Sequence, residues 1–377
     1  MPSQSDPSVS RRKWMKAAAV LPIATVRGTA ANSAVTVGLI GSGGRGTYDA
    51  TLLAKHTNAR VVALCDIIDE RIERARKTIP AADAKAYKRY QDLLASNVDA
   101  VVIATPVFLH PEHLEAAISA GKHVYIEKPA GVDVEGCKRV MRTADAADRR
   151  LNITFGFQQR YGPGYRKAHA LVTGGGIGKL RLAHSHWIKG AVPANNTPIS
   201  RPQTPEEKVR GWHDWQETYG DFIVETYSHG VDVLNWFLGG HPEKALAAGS
   251  QTVIVRGDKR DHCNVTFTYK SGIQATLTGT QITPQFYRDV NETFYGSTGV
   301  IQTAREYWKH FRGKGDALEE REPFDITVNA LMEFIQRVRD GKPENTGVRS
   351  AESTLTAILA RTSMDLNREV TWAEIMR

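Results

Sequence analysis

The 377-residue sequence predicts an α/β domain on a doubly wound parallel sheet, followed by an α+β domain with an open, largely antiparallel sheet. Three observations predict this. Residues 35 to 157 alternate short apolar runs with helical periods, the pattern of a parallel sheet covered on both faces. Beyond residue 158, strand-like runs come close together with tight turns such as YKSGIQ between them. The chain is also too long for one simple core.

In order, VTVGLI (35–40) reads as a strand, followed by a Gly-rich turn and a helix. RVVALCD (60–66) is a second strand and ERIERARKTI a helix; AYKRYQDLLAS gives a short strand and helix. VDAVVIATP (98–106) is a strand, and PEHLEAAISAG (111–121) a helix closed by Gly121. HVYIEKP, the helix DVEGCKRVMRTADAAD and LNITFGF (151–157) complete the series. The second domain, 158–377, carries LRLAHSHWI, ALAAGSQTVIV, HCNVTFTY, IQATLTGT and NETFYGS as strands, then two late helices. GAVPANNTPISRPQTPEEK (190–208) is a long polar, Pro-rich loop, a length that usually serves function.

The formal charge of +8 is concentrated at the start. Residues 1–34 hold Arg11, Arg12, Lys13, Lys16 and Arg27 against Asp6; without them, 44 basic residues face 40 acidic ones. No basic stripe with interleaved aromatics exists, so no nucleic-acid partner is expected. No apolar run of 18 residues exists, so no mature membrane span is expected. Residues 1–34 resemble a twin-arginine signal peptide, with Ser10 to Lys16 as the motif and cleavage near Ala31 or Ala34. The expected partner is then the twin-arginine export machinery, which moves folded proteins, and the expected location is periplasmic or extracytoplasmic. Cys65, Cys137 and Cys263 are far apart and odd in number, and read as buried free thiols.

VGLIGSGGRG sets Gly41, Gly43 and Gly46 in the spacing G-x-G-x-x-G between a strand and a helix. Gly41 permits the tight turn, Gly43 lets backbone approach a pyrophosphate, and Gly46 allows close helix–strand packing. Gly44 and Arg45 complete the loop, and the helix N-terminus offers amide donors to the anion. Asp66 lies 20 residues after Gly46. A carboxylate there can accept both ribose hydroxyls and would repel a 2′-phosphate, so residues 35–157 read as a Rossmann domain favouring NAD over NADP.

The stretch ATPVFLHPEHLEAAISAGKHVYIEKP completes a resemblance to the glucose–fructose oxidoreductase / inositol dehydrogenase / rhizopine-catabolism (Gfo/Idh/MocA) family. The resemblance implies that Thr105-Pro106 lies near the cofactor, with His110 beyond it, and that Glu127-Lys128-Pro129 follows the next strand with a cis Lys128–Pro129 peptide. Strand ends face the ligand crevice in such sheets, so Lys128 would stand beside the nicotinamide and stabilise a developing alkoxide. The family also implies a homo-oligomer and an NAD-dependent oxidoreductase acting on a CH–OH group of a sugar, glycoside or polyol. Because free NAD is scarce outside the cytoplasm, a tightly bound cofactor is expected.

GDFIVETYSHGVDVLNWFLGG (220–240) reads as one helix, placing Glu225 and His229 on one face. The family carries Asp-x-x-x-His here; this chain has Glu225. His229 is the expected general acid/base, and Glu225 is expected to orient or polarise it or to touch substrate, with Asp232 a structural partner. The resemblance implies that Arg160 and Tyr161 border the substrate; His186, Trp212, Trp215 and Tyr227 are further expected substrate contacts. His184 and His186 share a strand face, but no third ligand is spaced to join them, so no metal is expected. Two rival readings stand: a redox-neutral, NAD-dependent glycoside hydrolase with Tyr227 or Glu225 as base, and a non-catalytic NAD-binding protein.

Overall fold

The computed structural model describes residues 34–81, 83–315 and 317–377. The export motif at Ser10–Lys16 lies outside the described residues. From Val35 onward the chain is one compact unit containing two sheets.

The first sheet has six strands: β1 (Val35–Ile40), β2 (Ala59–Cys65), β3 (Lys85–Tyr87), β4 (Ala100–Ile103), β5 (His123–Ile126) and β6 (Ile153–Phe155). All pairings are parallel and the spatial order is β3-β2-β1-β4-β5-β6. The order reverses between β1 and β4, which opens a crevice above their carboxyl ends. Register aligns those ends: Ile40 pairs with Cys65 and with Ile103, and Ile103 with Ile126. Gly41, Asp66, Ala104 and Glu127 therefore leave the sheet side by side.

Both faces are covered, which is why the strands read as unbroken apolar runs. Helices Gly44–His56 and Asp69–Thr78 pack Ala50, Leu53, Ile72 and Ala75 on one face. The late helix Ile326–Asp340 returns to this face with Ala330, Leu331, Phe334 and Ile335, and Phe334 meets Tyr125 edge-on at 5.7 Å. Each fully buried Leu or Phe contributes about 1.5–3 kcal/mol of transfer free energy. Leu114, Ala117, Cys137 and Val140 cover the other face. The helix over 110–119 ends as expected, with Gly121 at φ +68.

The second sheet has nine strands: β7 (Leu180–Lys189), β8 (Lys244–Ser250), β9 (His262–Thr268), β10 (Gln274–Thr280), β11 (Arg288–Gly296), β12 (Val300–Ala304), β13 (Tyr307–Phe311), β14 (Leu318–Arg321) and β15 (Val370–Thr371). It is antiparallel except where β7 runs parallel to β10. The run expected to continue as strand through Val255 stops at Ser250. The Asp261 carboxylate accepts the N–H groups of Thr252, Val253 and Ile254 there, replacing ladder bonds with a loop. Strands β12 to β14 were not anticipated; their mixed polar faces hide the alternation. The three cysteines are buried and free. Among the described residues, no helix is long and apolar enough to cross a membrane, and no group of His, Cys, Asp or Glu is placed to hold a metal ion.

Candidate active site

The crevice holds a cavity of about 700 Å³ lined by Gly41, Gly43, Gly44, Arg45, Asp66, Thr105 and Pro106 among others. Its glycines divide by role. Gly41 has φ +94, and an added Cβ would meet Ala104 O at 2.6 Å; one on Gly46 would meet Gly41 O at 2.0 Å. These two are required by the chain's own packing. A Cβ on Gly43 or Gly44 meets nothing within 4 Å, so their backbone faces open cavity at the N-terminus of helix Gly44–His56. No side chain caps that helix start. Unpaired amides facing an open cradle are what a pyrophosphate requires. Asp66 is buried; its two oxygens accept Ser42 N–H and Ile68 N–H at 3.0 Å, which aims the carboxylate at the ribose end. Burial pushes its pKa above the usual range. The residues fit a dinucleotide.

The outer wall comes from the second domain. Pro202, Gln203, Thr204, Pro205, Lys208, Val209 and Trp212 line the same cavity. They belong to the long loop, to the short helix Pro205–Arg210, held by a Thr204–Glu207 capping box, and, for Trp212, to the 3-10 turn Trp212–Asp214.

A second cavity of about 310 Å³ adjoins the first; Arg45, Ala104, Thr105 and Trp212 line both. It is otherwise walled by Val107, His110, Glu127, Lys128, Gln158, Trp187, Lys189, Glu225, Thr226, His229 and Arg305. Lys128 leaves β5 through a cis Lys128–Pro129 peptide, as the resemblance implies. Its ammonium donates to the Glu225 carboxylate at 2.8 Å and also to the Glu225 carbonyl. Burial would raise Glu225, but the Lys128 charge together with hydrogen bonds from Lys128, Thr226 and Tyr219 holds the carboxyl below its usual value.

That contact overturns the single helix expected over 220–240. A one-turn helix Phe222–Glu225 stops, and a separate helix Ser228–Leu238 begins. The Glu225 carbonyl, which would receive the His229 N–H in a continuous helix, is taken by Lys128 and the Ser228 hydroxyl. Glu225 thus orients Lys128 and is not the partner of His229.

The partner of His229 is Gln159, whose Oε1 lies 3.0 Å from Nδ1. The amide oxygen only accepts, so Nδ1 carries the proton and Nε2 keeps a lone pair. Burial, then the Lys128 charge, hold His229 well below its usual pKa. It remains neutral through the physiological range, with Nε2 able to accept a proton. Trp187 stacks on its ring at 5.5 Å.

Arg45 bridges Asp49 and Glu127. Burial first, then the Glu127 charge, push the Asp49 carboxyl well above its usual range. His110 is buried, with Nε2 2.9 Å from Thr105 O and Nδ1 2.7 Å from Pro129 O; it ties the two loops of the site together.

Several expected substrate contacts lie elsewhere. Arg160 turns away to a bidentate pair with Asp232. Tyr161 is 4% exposed and packs in the core cluster with Phe334, because the 3-10 turn over 158–161 presents the glutamines to the site and the tyrosine to helix Ile326–Asp340. Tyr227 is 1% exposed, its ring filling the space above Gly279. Trp215 is buried beneath Arg201. His186 pairs with Asp289 at 2.9 Å on the opposite face of β7. Only Trp212 of the aromatic candidates reaches the cavities. Sequence reasoning missed Trp187 and Lys189, although the alternation in HSHWIK offered their face as readily as that of His184 and His186. Arg305, in the turn after β12, carried no local signal.

Fold and cavities define a class: a two-domain protein with a Rossmann dinucleotide site opening onto a polar cavity of lysine, histidine and paired acids. Residues 35–155 match the profile described as an oxidoreductase family with NAD-binding Rossmann fold, and 165–302 match the GFO/IDH/MocA C-terminal domain. The chain belongs to the GFO/IDH/MocA family. It is 33% identical over 208 residues to inositol 2-dehydrogenase 3 of Saccharopolyspora erythraea, a match covering 54% of each chain. It is 25% identical over 356 residues to a myo-inositol 2-dehydrogenase of Thermotoga maritima, covering 90% of this chain and 99% of that one. The chain thus spans about half the length of the first of these relatives and nearly all of the second. A levoglucosan dehydrogenase solved with NADH and levoglucosan superposes with a TM-score of 0.76 at 16% identity, covering 89% of this chain and 99% of that one. That likeness concerns the fold.

Proposed function

We propose that the protein is an NAD-dependent dehydrogenase of a secondary hydroxyl on a sugar, glycoside or polyol. The observation that carries this is the shared wall: Lys128, held by Glu225, and neutral His229 line a cavity that joins the dinucleotide cradle through Arg45, Ala104, Thr105 and Trp212. NAD, when bound, supplies the acceptor for the hydride leaving the carbinol carbon. Lys128 donates to the substrate oxygen and stabilises its developing negative charge. Nε2 of His229 takes the hydroxyl proton, with Gln159 holding the tautomer. Glu225 is a positioning residue for the ammonium. The product is a ketone.

Asp66, with both oxygens anchored by backbone amides, favours NAD over NADP by repelling a 2′-phosphate. The Pro202–Val209 wall supports tight retention of the cofactor. Residues 1–34 supply the export signal in this reading, so the folded, cofactor-loaded protein works outside the cytoplasm. Tyr227, buried beneath the site, does not support the hydrolase alternative.

The experiment is to purify the protein without added cofactor, record bound nicotinamide, and add a panel of sugars, glucosides and polyols. Stable NADH with ketone formation is expected. Release of aglycone with no lasting NADH would replace this reading by the redox-neutral one, and absence of bound nicotinamide would remove tight retention.

A further inference from the structure

The cavity beside the cofactor cradle carries four cations, Arg45, Lys128, Lys189 and Arg305, against two carboxylates, Glu127 and Glu225. Three of the cations are accounted for. Arg45 is bound by Asp49 and Glu127, Lys128 by Glu225, and Arg305 reaches out of the cavity to Asp325 at 2.8 Å. Lys189 has no ion-pair or hydrogen-bond partner among the described residues, although it is half-buried. Burial and the neighbouring charges of Arg288 and Lys128 press its ammonium down, with Glu225 opposing. A half-buried cation without a counter-charge is costly to hold.

An indole stands beside it. Trp187 is two residues earlier on β7, hence on the same face, and Nζ of Lys189 lies 5.8 Å from its ring centre. The buried Nε1–H of Trp187 has no acceptor among the described residues. The same indole stacks on His229; its Nε1 is sealed from the cavity, which leaves Lys189 as the unpaired cation on that wall. Glu292 and Asp289, opposite β7 on β11, do not answer it: Glu292 receives Tyr165 and Thr303, and Asp289 pairs with His186.

We infer that the substrate is an acidic sugar, of the uronic or aldonic acid class, whose carboxylate is held by Lys189 while a ring or chain hydroxyl lies between Lys128 and His229. An ammonium without a counter-charge, in a cavity where cations outnumber carboxylates, matches a carboxylate. The inference rests on the dehydrogenase reading only for where the hydroxyl lies; the anion subsite stands on the unpaired Lys189 and the cavity's surplus of cations.

Binding of D-glucuronate, D-galacturonate and D-gluconate should be compared with that of D-glucose, D-galactose and myo-inositol by titration calorimetry on the full cofactor-loaded protein, with NADH formation followed separately. At least one acid should bind roughly ten-fold or more tightly than its neutral counterpart. In Lys189→Gln that ratio should fall to near one, and Lys189→Arg should restore most of it; thermal unfolding checks that both variants fold. Equal affinity for acids and neutral sugars in the unmodified protein overturns the inference, as does a ratio unchanged in Lys189→Gln or a preference for sugar phosphates over the acids. Acids that bind through Lys189 but never yield NADH would sink the dehydrogenase reading and leave the subsite. NADH from neutral sugars without any acid preference would do the reverse.

Discussion

The two adjoining cavities are built on different principles. The dinucleotide cradle is made largely of backbone: strand ends, glycines and the amides of one helix start, most of it within residues 39 to 47 and 65 to 66. The smaller cavity is made of side chains from separated segments, including the ends of β5 and β7, the 158–161 turn, the break before helix Ser228–Leu238 and the turn after β12. A backbone site tolerates many side chains but no change at its packing glycines. A side-chain site tolerates backbone variation but depends on each charge finding its partner.

The largest effect that would sharpen this contrast is at Lys128. Lys128→Ala should lower kcat by roughly 10⁴-fold with nicotinamide affinity nearly unchanged; steady-state rates and protein-to-nicotinamide energy transfer measure the two. Comparable losses in both would break the division of labour. His229→Ala should cost roughly 10³-fold in kcat. Because His229 is held well below its usual pKa, the acidic limb of the kcat/KM profile should lie below pH 6.5. A limb at or above 6.5 would show that His229 is not the base.

The buried histidines also link stability to pH. His113, 5% exposed beside Thr105, has its pKa pushed down by burial to about 4. The unfolded chain takes up this proton near 6.5, whereas the folded one resists until about 4. Stability is therefore full above pH 6.5 and falls as pH drops toward 4, by about 3 kcal/mol for this group. Denaturant midpoints across that window read it, and in His113→Gln the slope should shrink.

The smallest expected effect separates the glycines. Gly46→Ala forces a Cβ to within 2.0 Å of the Gly41 carbonyl and should cost about 1–3 kcal/mol of folding stability. Gly43→Ala meets no protein atom within 4 Å and should leave the melting temperature within about 2 °C while weakening nicotinamide binding. Equal melting temperatures for the two variants would refute this division of the loop.

The same contrast explains what could be read in advance. The G-x-G-x-x-G loop, Asp66 and the Glu127-Lys128-Pro129 turn were legible because each combines a local spacing with a strand end, and parallel register sets those ends side by side. Glu225 and His229 were found as residues but given the wrong relation, since helical periodicity cannot foresee that a lysine 97 positions away will take a helix carbonyl. Tyr161, Tyr227 and Trp215 were expected to touch substrate, yet the core claimed all three.

By itself, the sequence determined the layered architecture and the dinucleotide cradle, and the family resemblance singled out the lysine and histidine that share the smaller cavity. The first two follow from periodicity, glycine spacing and strand ends, all properties of contiguous chain. Tertiary structure alone decided that Gln159 fixes the tautomer of His229, that Arg160 is spent on Asp232, that loop 202–209 walls the cofactor cavity, and that Lys189 is left unpaired inside the site. Each of these depends on which distant side chain arrives first at a buried polar group, and local pattern carries no information about that competition.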